Sequence, residues 1–182
     1  MSYDLFVFEP QDSLRDRSAF LDWYETQTNW SPGIDYGNPT NASPALRAWY
    51  LDMIDTFLPI NGPDRPLIDE IAQNPSADYC IGPEFIYVAF SGSNSRNAHE
   101  KVFSLASKHA LGFFDASGNS AVWFPKSPGE LEMLHEHQES DPPGRVARLM
   151  AQAIESGAAV QVKNVEDFVQ QILGLRKDDP GS

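Results

Sequence analysis

His135-Glu136-His137, with Glu132 just before it, is the one metal-like cluster in this 182-residue chain. If residues 130–139 form a helix, Glu132 and His135 share a face at i, i+3 and could clip a transition metal, while His137 points elsewhere. The plainer reading is a solvated, charged helix face. His99 and His109 fall on one helical stretch about three turns apart and cannot share a ligand. Cys80 has Asp78, Tyr79 and Glu84 around it in sequence, acids that disfavour a thiolate, so it reads as a small core residue rather than a nucleophile. Carboxylates come in pairs, Asp52 with Asp55, Asp69 with Glu70 and Asp178 with Asp179. Acid–base pairs need a pocket that drives their pKa values apart, and nothing in the sequence marks one. No P-loop, GxGxxG, HExxH, GxSxG or CxxC occurs. No catalytic residue, metal or cofactor is therefore expected.

The elements that must position these residues can be read from period and punctuation. YDLFVFEP (3–10) is a strand with apolar residues on both faces, Leu5 and Val7 one way, Phe6 and Phe8 the other, which predicts a central position in its sheet. Residues 13–28 read as a helix with Phe20, Trp23, Tyr24 and Gln27 on one face, capped by Asp12 or Ser13. Ser43-Pro44 restarts a helix as N-cap and first helical residue, followed by Leu46, Trp49, Tyr50, Met53, Ile54 and Phe57 at helical spacing. Residues 58–77 carry four more prolines and read as loop, with a short helical turn near Leu67 to Ala72.

DYCIGPEFIYVAFSG then gives two strands about Gly82-Pro83, SNSRNAHEKVFSLASKHALG a helix, and GFFDASGNSAVWFP a second hairpin. Past Pro125, ELEMLHEHQE reads as a charged helix. An amphipathic helix through Val146, Leu149, Met150, Ala153 and Ile154, a short AAVQV strand, and a last helix from Asn164 to Leu173 follow. The expected fold is α+β: an antiparallel sheet with helices packed on one face, in a split βαβ, ferredoxin-like arrangement over 1–125. A mainly helical extension, 126–182, is expected to pack on that core.

With 41% hydrophobic and 12% aromatic residues the composition is that of a globular domain, not a disordered chain. No apolar run reaches the length of a membrane helix, and MSYDLFVFEP lacks the positive region and cleavage site of a signal peptide, so a cytoplasmic protein is expected. The single cysteine excludes an intrachain disulfide. The formal net charge is −13. It is uneven: residues 1–91 hold 14 acids against four arginines, a net −10, and the rest 12 acids against nine bases, a net −3. Such a field repels nucleic acid and anionic membranes and favours a basic partner, although acidity can also serve solubility alone.

The stretch NWSPGIDYGNPTNASP (29–44) is too rich in Pro, Gly and Asn for regular structure, yet it holds Trp30, Ile34 and Tyr36. Structureless runs of this length are usually functional or disordered, and disorder does not favour large aromatics. Either the aromatics plug the domain's own core, or some stay accessible as interface anchors inside a polar rim. The acids Asp35, Asp52, Asp55 and Asp64 would supply that rim.

The phrases MSYDLFVFEP, DRSAFLDWYETQTNW, PALRAWYLDMIDTFLPINGP, DYCIGPEFIYVAF, KHALGFFDASG and VWFP together resemble a family of uncharacterised bacterial proteins. Members of that family, or proteins much like it, occur among the immunity proteins encoded beside secreted antibacterial toxins. The resemblance covers about residues 1–125 and carries no catalytic motif. It implies a binding protein that occludes the active site of a cognate toxin, one that consumes NAD⁺ or acts on nucleic acid. Acidic side chains suit a basic, phosphate-binding site of that kind. The contact residues expected on this reading are Trp30, Asp35, Tyr36, Asp52, Asp55 and Asp64. Two other functions compete: a small-molecule enzyme or binding domain with a cleft near 29–77, using His99 or His109, and a chaperone or adaptor for a secreted effector.

Overall fold

A computed structural model describes residues 2–30, 33–138 and 141. The chain divides after Glu139, and the described residues other than Asp141 belong to the first unit. That unit is a mixed α+β domain built on one seven-stranded sheet. Its strands are β1 (Ser2–Phe8), β2 (Leu58–Pro59), β3 (Ser76–Ile81), β4 (Phe85–Ser91), β5 (Gly112–Phe114), β6 (Val122–Ser127) and β7 (Glu130–His135), in the spatial order β2-β3-β4-β1-β5-β6-β7. The helices are α1 (Arg17–Gln27), α2 (Pro44–Ile54), α3 (Ile68–Gln73) and α4 (Ser95–Lys108).

β1 is the fourth of seven strands, as its two apolar faces require. It pairs antiparallel with β4 over its whole length, Leu5 opposite Val88 and Phe8 opposite Phe85, and with β5 on its other edge. β3 and β4 are antiparallel, as are β5 with β6 and β6 with β7. β2 lies parallel to β3, so the sheet is mixed rather than wholly antiparallel.

The expected single helical layer is also corrected. Leu5 and Val7 belong to a core shared with Leu46, Trp49, Tyr50 and Met53 of α2 and Ala98, Val102, Leu105 and Ala106 of α4. Phe6 and Phe8 face the other way and bury Phe20 of α1, with Trp23 and Tyr24 packed alongside. The second core is aromatic: Phe6 stacks on Phe85 at 5.2 Å and meets Tyr24 edge-on at 5.0 Å. A central strand with large apolar side chains on both faces has to be covered on both.

Local signals decide the helix starts. Asp16 caps α1 by accepting from the Ala19 N–H, one turn later than the expected Asp12 or Ser13, because residues Asp12–Arg15 form a separate 3-10 turn. Ser43 caps α2 by accepting from the Leu46 N–H, with Pro44 at the first helical position.

ELEMLHEHQE does not form a helix. Residues Glu130–His135 are the edge strand β7, joined to β6 by a Pro128-Gly129 turn with Gly129 at φ +79. A Pro-Gly turn of this kind wants a positive φ at its glycine, and the open edge of β6 gives the returning segment a partner. The boundary expected at residue 125 therefore falls inside β6. The helices read over 146–157 and 165–173, the AAVQV strand and the packing of a 142–182 extension lie outside the described residues.

Candidate partner-binding surface

Residues 35–41 of the aromatic loop are tied together by their own polar side chains. Asp35 accepts from the Gly37 N–H at 3.1 Å, and its carbonyl accepts from the Asn41 side chain at 2.7 Å. Asn38 accepts from both the backbone and the hydroxyl of Thr40. These are turn-closing bonds that Asn and Asp make readily, which explains the composition of the loop.

Its aromatics are neither fully buried nor free. Trp30, at a left-handed φ of +49, sits edge-on to Tyr36 at 5.3 Å and to Tyr87 at 5.7 Å, yet stays 38% exposed. Tyr36 packs on the aromatic core through Phe85, and its carbonyl accepts from the Ile81 N–H at 2.7 Å. Ile34 is 44% exposed.

The same edge of β3 is closed by the 58–64 segment. Leu58 and Ile60 donate to the carbonyls of Pro75 and Ala77, and the Asn61 side chain then takes the next place by bonding both the N–H and the carbonyl of Tyr79. The two loops meet where Gly62 backs onto Gly37. That contact brings Asp35 and Tyr36 against the 58–64 segment, and Trp30 joins them through the Tyr36 ring, whereas Asp64 turns to α2. Asp64 accepts from the Tyr50 hydroxyl; burial first, then this charge, pushes the Tyr50 phenol well up.

Asp52 does not join this group. α2 covers the sheet face opposite the Trp30 and Tyr36 rings, and Asp52 there is held by Lys108 at 2.7 Å and His109 at 2.6 Å. The Lys108 bond, then the His109 bond, keep its carboxyl below the ordinary value. Asp55 is exposed at the C-terminal end of α2.

Three exposed apolar side chains lie outside the expected contact set: Ile60 at the β3 edge, 40% exposed, and Leu67 and Ile68 at the start of α3, 75% and 71% exposed. Leu67 and Ile68 stand at helical spacing with Ile71 and Ala72, a short apolar stripe among the acids Asp69 and Glu70, and that stripe is their sequence signal.

The other chemistry-bearing residues are placed as follows. His99, stacked on Phe103 and edge-on to Phe113, brings Nε2 to 3.8 Å from the buried Asp115. Asp115 accepts from the Tyr3 hydroxyl at 3.3 Å and the Gly118 N–H at 2.9 Å. Burial and then the Asp115 charge raise the Tyr3 phenol to about 12. Tyr3, Ser95, Arg96, His99 and Glu100 line an open cleft of about 340 Å3. It lies at the start of α4 and not in the 29–77 region. Glu132 and His135 do not form a metal clip: they lie on a strand and not on a helix, and a β-bulge opposite Val122 and Trp123 turns both toward Arg15, where each has a protein partner. Glu132 lies 3.4 Å from Arg15, and His135 Nε2 is bonded to the Arg15 carbonyl. Among the described residues no group of three or more His, Cys, Asp or Glu could hold a metal ion. Cys80 is half-buried, and burial followed by the Asp78 charge raises its thiol to about 11.

Among the described residues no helix is long and apolar enough to cross a membrane. Comparison with protein-family models, with curated proteins and with solved structures finds no match to this chain.

Proposed function

We propose that this chain is an immunity protein: a cytoplasmic, non-enzymatic inhibitor that binds a cognate secreted bacterial toxin and covers its active site. The observation that carries this reading is the surface around the Gly37–Gly62 contact, where Trp30 and Ile34 remain accessible close to the exposed Asp35. Accessible aromatic and aliphatic anchors beside acids suit a basic, phosphate-binding active site in an NAD⁺-consuming or nucleic-acid-directed toxin. The resemblance over residues 1–125 points the same way. On this reading Trp30, Asp35, Tyr36 and Asp64 make contact directly, and Asp52 and Asp55 contribute to the field. We read the β3-β4-β1-β5 block, with its two helical crossovers, as a split βαβ scaffold of the ferredoxin-like type.

The test is survival. The C-terminal domain encoded by the neighbouring upstream gene is induced with and without this protein. Killing by the domain alone, rescue by the protein, and a stable complex between them support the reading. The absence of toxicity or of a complex overturns it. Within a working pair, Trp30→Ala and Tyr36→Ala should each weaken the complex by about 2 kcal/mol if they are central anchors.

A second reading rests on the cleft at the start of α4, where His99 faces the buried Asp115. It is a small-molecule site, and a ligand screen that shifts the His99 imidazole resonances would favour it over the inhibitor.

A further inference from the structure

We propose that Leu67 and Ile68 are additional apolar anchors of the interface, seating in a hydrophobic pocket of a folded partner whose rim is basic. This rests on the immunity reading and deepens it by naming the docking element. α3 is six residues long and buries none of them. A helix that short does not hold itself together in water. Its bonds are local: the Leu67 carbonyl accepts from the Glu70 and Ile71 N–H groups, and the Asn74 side chain donates to the Glu70 carbonyl. Leu67 and Ile68 are the two most exposed large hydrophobic side chains of the described residues. They are adjacent, and Pro66 before them restricts the backbone they leave from. Two adjacent aliphatics in water on an element that serves no core mark a contact surface more strongly than scattered ones do.

The surrounding charge selects the occupant. Asp64, Asp69 and Glu70 are exposed around the pair, with Arg65 the one base of that segment. A membrane of anionic lipid is repelled by that rim. A second copy of this chain, docked face to face, would bring the same acids against their own equivalents. Residues 142–182 carry five acids and five bases, so that segment offers the rim no net positive charge. A partner with a basic rim and an apolar pocket satisfies both the aliphatics and the acids, and the net −10 of residues 1–91 would steer it in.

The experiment uses the full chain and the neighbouring toxin domain. Leu67→Ser with Ile68→Ser should leave the circular dichroism spectrum and the urea midpoint unchanged and weaken the complex by 30-fold or more in calorimetry. Asp69→Lys with Glu70→Lys should slow association at least 10-fold at low salt, with the difference shrinking as salt rises. A photo-crosslinking p-benzoylphenylalanine at position 68 should capture the toxin domain. A complex of full strength in the double serine variant overturns the docking element while leaving the immunity reading intact. Crosslinking at position 68 to residues 142–182, or to a second copy, also overturns it. Absence of any complex with the unaltered chain removes the immunity reading and this proposal with it.

Discussion

Gly62 and Gly37 touch backbone to backbone: a Cβ on Gly62 would lie 2.3 Å from the Gly37 carbonyl oxygen. Gly62 also sits at φ +75, where a side chain is strained by itself. Two glycines thus fix the meeting of the 29–44 loop with the 58–64 segment, and the proposed contact surface is built on that meeting.

Gly62→Ala should cost about 2 kcal/mol or more, combining roughly 1–2 kcal/mol for the left-handed conformation with a forced separation of the two loops. Gly33→Ala is the internal control. Gly33 has φ +91 but open space around its Cβ position, so it should lose only the conformational part, about 1 kcal/mol. Urea unfolding of the two variants checks this. Equal losses would mean that the Gly37–Gly62 contact gives way easily and does not hold the surface.

Asp52 ties α2 to the end of α4 through Lys108 and His109. Its carboxyl is held below its ordinary value in the fold, so the folded state binds fewer protons than the unfolded one. The stability it contributes is present above the unfolded carboxylate value, near pH 4, and is lost as pH falls through the lower folded value. Asp52→Asn should therefore destabilise by no more than about 1 kcal/mol at pH 7, since the group is partly exposed. Urea midpoints of the two proteins should converge as the pH drops below about 4. A constant gap from pH 7 down through pH 3 would show that charge is not the cause.

Cys80 has its thiol raised to about 11 by burial and by Asp78. At pH 8 that leaves on the order of one thiolate in a thousand. A disulfide reagent should label the native protein slowly and the urea-unfolded protein at the rate of a model thiol. Asp78→Asn should speed native labelling only a little, because burial is the larger cause. Fast native labelling at pH 8 would place Cys80 in an open, activating environment and revive it as a nucleophile.

Much of this architecture was legible in the residues. β1 announced its central place through Leu5 and Val7 on one face and Phe6 and Phe8 on the other. The same four residues also implied a covered face on each side, which the expectation of a single helical layer passed over. Ser43-Pro44 marked the start of α2 because cap and first-turn chemistry is local. ELEMLHEHQE misled because Glu, Leu and Met favour helices in isolation, whereas the Pro128-Gly129 turn and the free edge of β6 drew the segment into the sheet.

The sequence by itself determined the charge, the Ser43 cap and Pro44 start of α2, the core residues of α2 and the oddity of an aromatic loop, because each depends on near neighbours or on composition. Only the tertiary structure decided which of those residues meet. Asp52 finds His109 57 positions away, Tyr3 finds Asp115 112 positions away, and the 29–44 loop meets the 58–64 segment at the edge of β3. Such pairs are set by sheet order and by which face each helix covers, and a local pattern of side chains carries no record of either.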